Sequence, residues 1–154
     1  MPLDTGDTLP DLTFPADGGG EVTLADSRGR KLVLYFYPKD NTSGCAVEAC
    51  DFRDLTADFE KAGAAVIGVS KDSVRRHDNF IAKYELPFRL ISDTEGTLCE
   101  LFGVWQEKKL YGKTYMGIER STFLIDADGA IREAWRKVRV KGHAAAVLAA
   151  ARAL

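Results

Sequence analysis

The chain has 154 residues, 45% of them hydrophobic and 29% charged, with a formal net charge of −2. That size suits a single domain, residues 1–154, with a core large enough to fold without disulfide staples. The near-neutral balance gives no nucleic-acid footprint and no acidic tail, and the longest apolar run, 32–37, is far too short to cross a bilayer.

The N-terminal stretch carries Asp4, Asp7 and Asp11 and no Lys or Arg. A secretory signal needs a positive start and an apolar stretch. The expected location is therefore the cytoplasm. Leu12, Phe14, Val22 and Leu24 flank Asp17-Gly18-Gly19-Gly20 at period-2 spacing, which predicts an N-terminal hairpin. Residues 31–37, KLVLYFY, form a continuous apolar run of β-formers. That pattern marks a central strand covered on both faces. Pro38 ends it.

A loop over 39–44 leads into a helix expected to reach about residue 62, with Val47, Cys50, Phe52, Leu55 and Phe59 at its apolar positions. A second buried strand follows at 64–70, a helix at 73–84, a third strand at 88–92 and a short helix at 97–102. Residues 116–125 read as a fourth strand, which Asp126-Ala127-Asp128-Gly129 turns back into a strand over 130–138. Arg136, Lys137, Arg139 and Lys141 alternate with Trp135, Val138 and Val140, as on the wet face of a strand. Gly142 opens the last helix. The order β-α-β-α-β-α-β-β-α implies right-handed crossovers, a parallel core and a late antiparallel hairpin. The expected architecture is a thioredoxin-like α/β fold: a central mixed sheet flanked by helices, with an N-terminal β-hairpin extension.

Three cysteines carry the chemistry of interest. Cys45 falls just after Gly44, in the first turn of a predicted helix, with Asn41, Thr42 and Ser43 as N-cap candidates. There a thiolate meets unpaired backbone N–H groups and the positive end of the helix dipole. An ordinary cysteine, with a pKa of about 8.5, is only about 3% thiolate at neutral pH. Making a thiolate dominant takes about 3 kcal/mol, and a helix end supplies at most about 2. A nearby cation has to supply the rest, and arginine suits that role best.

Cys50 lies five residues further on. In an intact helix such Cα atoms are about 8.6 Å apart, whereas a disulfide tolerates at most about 7 Å. The pair is therefore either unconnected or meets only after the helix start unwinds. Cys50 alone also reads as a small buried hydrophobe. A zinc site is disfavoured, since neither His77 nor His143 has ligand-like spacing with C-x4-C. Cys99, between Leu98 and Leu101, reads as packing.

The segment 35–50, YFYPKDNTSGCAVEAC, resembles the active-site segment of the peroxiredoxins, most closely their peroxiredoxin Q or bacterioferritin comigratory protein branch. The pattern P-x-x-x-T/S-x-x-C falls on Pro38, Thr42 and Cys45. Further matches follow in order: Gly68-Val69-Ser70 to Ser73, His77 to Phe80, Leu86-Pro87-Phe88, Ser92-Asp93, Tyr111-Gly112-Lys113, Gly117 to Phe123 and Trp135 to Val138. The resemblance implies a thiol-specific peroxidase that reduces hydrogen peroxide and organic hydroperoxides with no metal or other cofactor. Cys45 is then the peroxidatic cysteine and Thr42 holds the thiolate and the peroxide. Arg120 is the activating cation, Pro38 shields the pocket, and Glu48 positions Arg120 or nearby backbone. Many members of this branch have a resolving cysteine five residues after the first, which is Cys50 here. Others place it on the next helix, where this chain has Ile81. The implied reductant is thioredoxin or a glutaredoxin-type dithiol, and the implied assembly a monomer. Two departures stand out: Ser43 replaces the usual Pro, and Ala46-Val47 replace Thr-Thr. A peroxide-responsive redox sensor, a dithiol–disulfide oxidoreductase lacking C-x-x-C, and a non-enzymatic module are the alternatives.

Overall fold

The computed structural model describes residues 2–154 and has a five-stranded mixed sheet at its centre. Its strands are β3 (Lys31–Phe36), β4 (Ala64–Ser70), β5 (Arg89–Ser92), β8 (Ser121–Ile125) and β9 (Ile131–Trp135). They lie in the order β5-β4-β3-β8-β9. β3 pairs in parallel with β4, and β4 with β5, while β3–β8 and β8–β9 are antiparallel. Parallel neighbours need crossovers. α1 (Ser43–Asp54) and α2 (Thr56–Lys61) link β3 to β4, and α3 (Val74–Tyr84) links β4 to β5. α4 (Thr97–Leu101) and α5 (His143–Ala153) complete the helices. An N-terminal hairpin joins β1 (Thr13–Pro15) to β2 (Glu21–Thr23), as the turn signal predicts.

β3 shows why an unbroken apolar run means a central strand. Its side chains alternate between two cores. Val33 and Tyr35 join Phe52, Phe59, Phe80 and Val147 on one face. Leu32, Leu34 and Phe36 join Leu98, Phe102 and Phe123 on the other. Gly68 on β4 is required by this packing, because a Cβ there would lie 2.7 Å from Leu90 and 2.9 Å from the Tyr35 ring.

Three expectations need correction. The helix expected from the end of the 39–44 loop to about residue 62 starts earlier, at Ser43, and is two helices broken at Leu55, and Val47 is 53% exposed rather than on the apolar face. The strand over 116–125 is also two elements. Residues Lys113–Ile118 form β7, which pairs with β6 (Trp105–Leu110) in a separate two-stranded ribbon, and only Ser121–Ile125 enters the central sheet. The ribbon escapes a periodicity reading because it buries almost nothing until Ile118. Finally, β9 ends at Trp135, so the basic residues 136–141 lie in a loop and not on a strand face. Lys137 has φ 52°, which no strand accommodates. Arg136 is structural: it donates to the carbonyls of Phe102 and Leu3 and lies over the Phe123 ring.

Candidate active site

Cys45 occupies the first turn of α1 and is 1% exposed. Thr42 is the N-cap residue, but its hydroxyl does not cap the helix. It donates instead to the Lys39 carbonyl at 2.8 Å. With its hydrogen so committed, the hydroxyl can accept a hydrogen bond from a peroxide O–H but does not donate to the sulfur. The Thr42 carbonyl accepts the first helical bond, from Ala46.

Arg120 arrives from the short link between β7 and β8. Its guanidinium forks: Nη2 donates to Cys45 Sγ at 3.3 Å and Nη1 to Glu48 Oε1 at 2.7 Å. Glu48 lies three residues after Cys45, on the same face of α1, and is 1% exposed. Gly44 leaves room for the approach, since a Cβ there would lie 3.2 Å from Arg120 Nη2 and crowd the guanidinium. Burial opposes the charge on Arg120, but Glu48 and Cys45 together outweigh it and hold the group above the ordinary arginine value. Burial dominates at Glu48, pushing its pKa up to about 7 although Arg120 pulls the other way and Asp51 adds a little. Glu48 Oε2 and the Tyr35 hydroxyl are both buried without a partner among the described residues.

The structure therefore brings Cys45, Arg120 and Glu48 together, with Thr42 at the helix entrance. Pro38 is half-buried and lines a cleft of 390 Å³ with Trp105, Lys108 and Met116. Cys50 is half-buried within the intact α1 helix, and all three cysteines are free thiols. Cys99 is packed in the core, where burial and Asp93 push its thiol far up. Ile81 packs against the core cluster that contains Cys45.

A second group was not singled out from the sequence. Asp40, in the loop before α1, accepts from the Tyr37 hydroxyl at 2.5 Å and meets His77 Nδ1 at 2.7 Å. The Asp40 amide donates to Asp72, which also accepts from Ser70. The ligand atoms of Asp40, Asp72 and His77 lie within 4.8 Å of one another, as a metal site requires, but hydrogen bonds within the cluster already engage them. His143 opens α5 and meets the Thr122 hydroxyl at 2.7 Å. Burial and the Arg120 charge push its pKa down to about 4.

The chain that carries this site is similar in sequence and fold to known proteins. The profile of the AhpC/TSA family matches residues 5–134. The chain belongs to that family. Peroxiredoxin Bcp of Bacillus subtilis is 52% identical over 148 residues, which cover 96% of this chain and 94% of that one. The Xanthomonas campestris bacterioferritin comigratory protein superposes with a TM-score of 0.91 at 51% identity, covering 97% of this chain and 98% of its own. A Xylella fastidiosa PrxQ mutant gives a TM-score of 0.94 at 46% identity, covering 98% and 96%. These similarities place the chain in the peroxiredoxin Q/Bcp branch of the AhpC/TSA family, with that branch's thioredoxin-like fold.

Proposed function

We propose that this protein is a thiol peroxidase in which Cys45 is the nucleophile. The observation that carries the reading is the Arg120 fork, with one arm on Cys45 Sγ at 3.3 Å and the other on buried Glu48. A guanidinium so aimed stabilises a thiolate and then the charge that develops on the peroxide oxygens. The Xanthomonas campestris relative has alkyl peroxide reduction activity, which supports a hydroperoxide substrate.

The thiolate attacks the distal oxygen of ROOH. The S–O bond forms as the O–O bond breaks, leaving Cys45 sulfenic acid and an alkoxide that takes a proton from water. Thr42 accepts from the incoming O–H, and Pro38 covers one wall of the approach. α1 then opens at its start, and Cys50 condenses with the sulfenic acid to give a disulfide and water. A thioredoxin or glutaredoxin-type dithiol restores both thiols by exchange. We further propose that residues 1–154 work as one domain, as a monomer, in the cytoplasm. Among the described residues no helix is long and apolar enough to cross a membrane.

Mass spectrometry after one equivalent of peroxide tests this directly. A Cys45–Cys50 link is expected, and in Cys50→Ser a sulfenic or hyperoxidised Cys45 in its place. Full peroxidase activity in Cys45→Ser would overturn the reading. Turnover with a thioredoxin system, set against a glutaredoxin one, identifies the reductant and separates an enzyme from a sensor that is oxidised once.

A further inference from the structure

The loop that presents Thr42 and Cys45 is held by a buried network that the peroxide chemistry does not use. Asp40 is 4% exposed and sits in this loop, between β3 and α1. Its amide donates to Asp72 Oδ2 at 2.8 Å, and its Oδ1 accepts from the Tyr37 hydroxyl at 2.5 Å. His77, fully buried on α3, spans the gap to β5. Its Nδ1 lies 2.7 Å from Asp40 Oδ2, and its Nε2 lies 2.9 Å from the Ile91 carbonyl. A carbonyl only accepts, so Nε2 carries a hydrogen. A neutral ring then has a bare lone pair on Nδ1, pointing at a carboxylate lone pair. Two acceptors at that distance repel, so one further proton must lie between Nδ1 and Oδ2. Whichever atom holds it, the pair binds one proton more than a neutral histidine beside an ionised aspartate.

We propose that the His77–Asp40 pair is a proton-dependent positioning device for the active-site loop. With the shared proton in place, it pins the loop in the form that offers Thr42 and the start of α1 to peroxide. Without the proton the contact becomes repulsive, and the loop is released toward the opened form from which Cys50 reaches Cys45. Rising pH thus shifts the balance from peroxide capture toward disulfide formation.

The surroundings agree. The ionisable groups facing His77 are Asp40 and Tyr37 from β3 and its following loop, and Asp72 from the β4–α3 loop. Arg76, on the same helix as His77, reaches the far oxygen of Asp72 at 3.9 Å. Burial alone would strip the His77 proton, but Asp40, the Ile91 carbonyl and Asp72 outweigh it and hold the ring above its ordinary value. Neither His77 nor Asp40 touches the sulfur, so both act through the loop.

The functional consequence rests on the peroxidase reading, but the device can be tested in the reduced protein with no peroxide present. Asp40→Asn is the informative variant. Its Oδ1 still accepts from Tyr37, and its amide N–H donates to the bare Nδ1 of a neutral His77. Every hydrogen bond survives without the extra proton. Amide hydrogen exchange, corrected for intrinsic rates, is measured from about pH 5.5 to about pH 9, a range that spans histidine titration. In wild type, protection of the hydrogen-bonded Asp40 and Ala46 amides is expected to fall by up to about tenfold per pH unit above the midpoint, the slope for one proton, while β3 amides stay constant. In Asp40→Asn the step at the His77–Asp40 midpoint should be absent from the same amides, leaving any Glu48 titration on α1 common to both proteins. Nitrogen-15 NMR of the two histidines reports whether His77 binds the extra proton. If Asp40→Asn does not fold, the wild type decides, because loop protection must be lost with the midpoint of the His77–Asp40 titration. Equal pH dependence in both proteins, separate midpoints, or a pair that binds no extra proton overturns the proposal. None of these outcomes bears on whether Cys45 reduces peroxide, which the mass-spectrometric test settles separately.

Discussion

At Cys45 the deciding contact comes from a residue 75 positions away in the chain. A helix start falls short of what a reactive thiolate requires, and Arg120 supplies the missing cation with two donors set in one plane. Lysine carries its donors on a single nitrogen at the end of a flexible stem, so it cannot reproduce the planar fork that spans Cys45 and buried Glu48. Arg120→Lys is therefore expected to lower the second-order rate constant for peroxide by about 100-fold, the scale set by loss of one preorganised donor. Stopped-flow oxidation measures this, and a rate within about threefold of wild type would show that the fork is not what activates the sulfur. Cys45, Thr42 and Arg120 were legible in the sequence because the resemblance to the peroxiredoxins implies a chemical role at those positions. Asp40 and His77 were not. A buried polar residue gives no sign in one sequence of the partner it meets across the fold, and these two lie 37 residues apart. Gly44 reads from the sequence as the end of the loop, whereas it lies inside α1, and nothing in the sequence marks it as the place where the Arg120 guanidinium approaches.

Among the elements, the proposed cycle asks α1 to be both firm and breakable. It is folded where it holds Cys45 against Arg120, and in that cycle it opens at its start for Cys50 to reach that sulfur. Ser43, at the first helical position, bears on this balance. Pro fits that position well: its N–H is not needed, and its φ is already helical. The preceding residue must be extended, and Thr42 has ψ 153°. Ser43→Pro is expected to stabilise the folded helix start by about 0.4–1 kcal/mol, chiefly by restricting the open form. Disulfide formation after sulfenic acid formation should then slow by about two- to fivefold, with more hyperoxidised Cys45 at high peroxide. Rapid-quench mass spectrometry follows both species, and an unchanged partition would mean that the first turn is not the part that opens. The break at Leu55 fits a helix that opens from its N-terminal end, since Phe52 is buried in the core just before it. The β6–β7 ribbon shows the limit of reading elements from sequence. α3 buries one face and so carries a period, and the central strands are buried on both faces and so read as apolar runs, whereas Trp105–Leu110 follows its partner strand through backbone pairing with little burial.

Over the whole molecule, two buried groups near Arg120 pull the pH dependence of stability in opposite directions. Glu48 holds its proton up to about 7 in the folded state, against 4.5 for a free carboxyl. Between those values unfolding releases a proton, so stability falls as pH rises through that window. His143 stays neutral down to about 4 in the folded state, against 6.5 for a free imidazole. Between those values unfolding takes up a proton, so stability falls as pH drops. Each effect is on the order of 3 kcal/mol if fully expressed. Where the windows overlap, from 4.5 to 6.5, the two slopes cancel and the wild type should be nearly flat in pH. Single variants remove one slope and expose the other. Glu48→Gln keeps a carbonyl acceptor for Arg120 but cannot titrate. Relative to wild type it should lose about 2 kcal/mol between neutral pH and the free-carboxyl value. His143→Gln should do the reverse and gain stability over the same acidification. Above neutrality, the contribution of His77, whose folded value lies above 6.5, is lost as pH rises through that value. Urea unfolding of the three proteins across this range, at fixed ionic strength, measures the slopes. Parallel curves would mean that Glu48 and His143 titrate normally in the folded protein, whereas diverging curves assign the opposed slopes to these two groups.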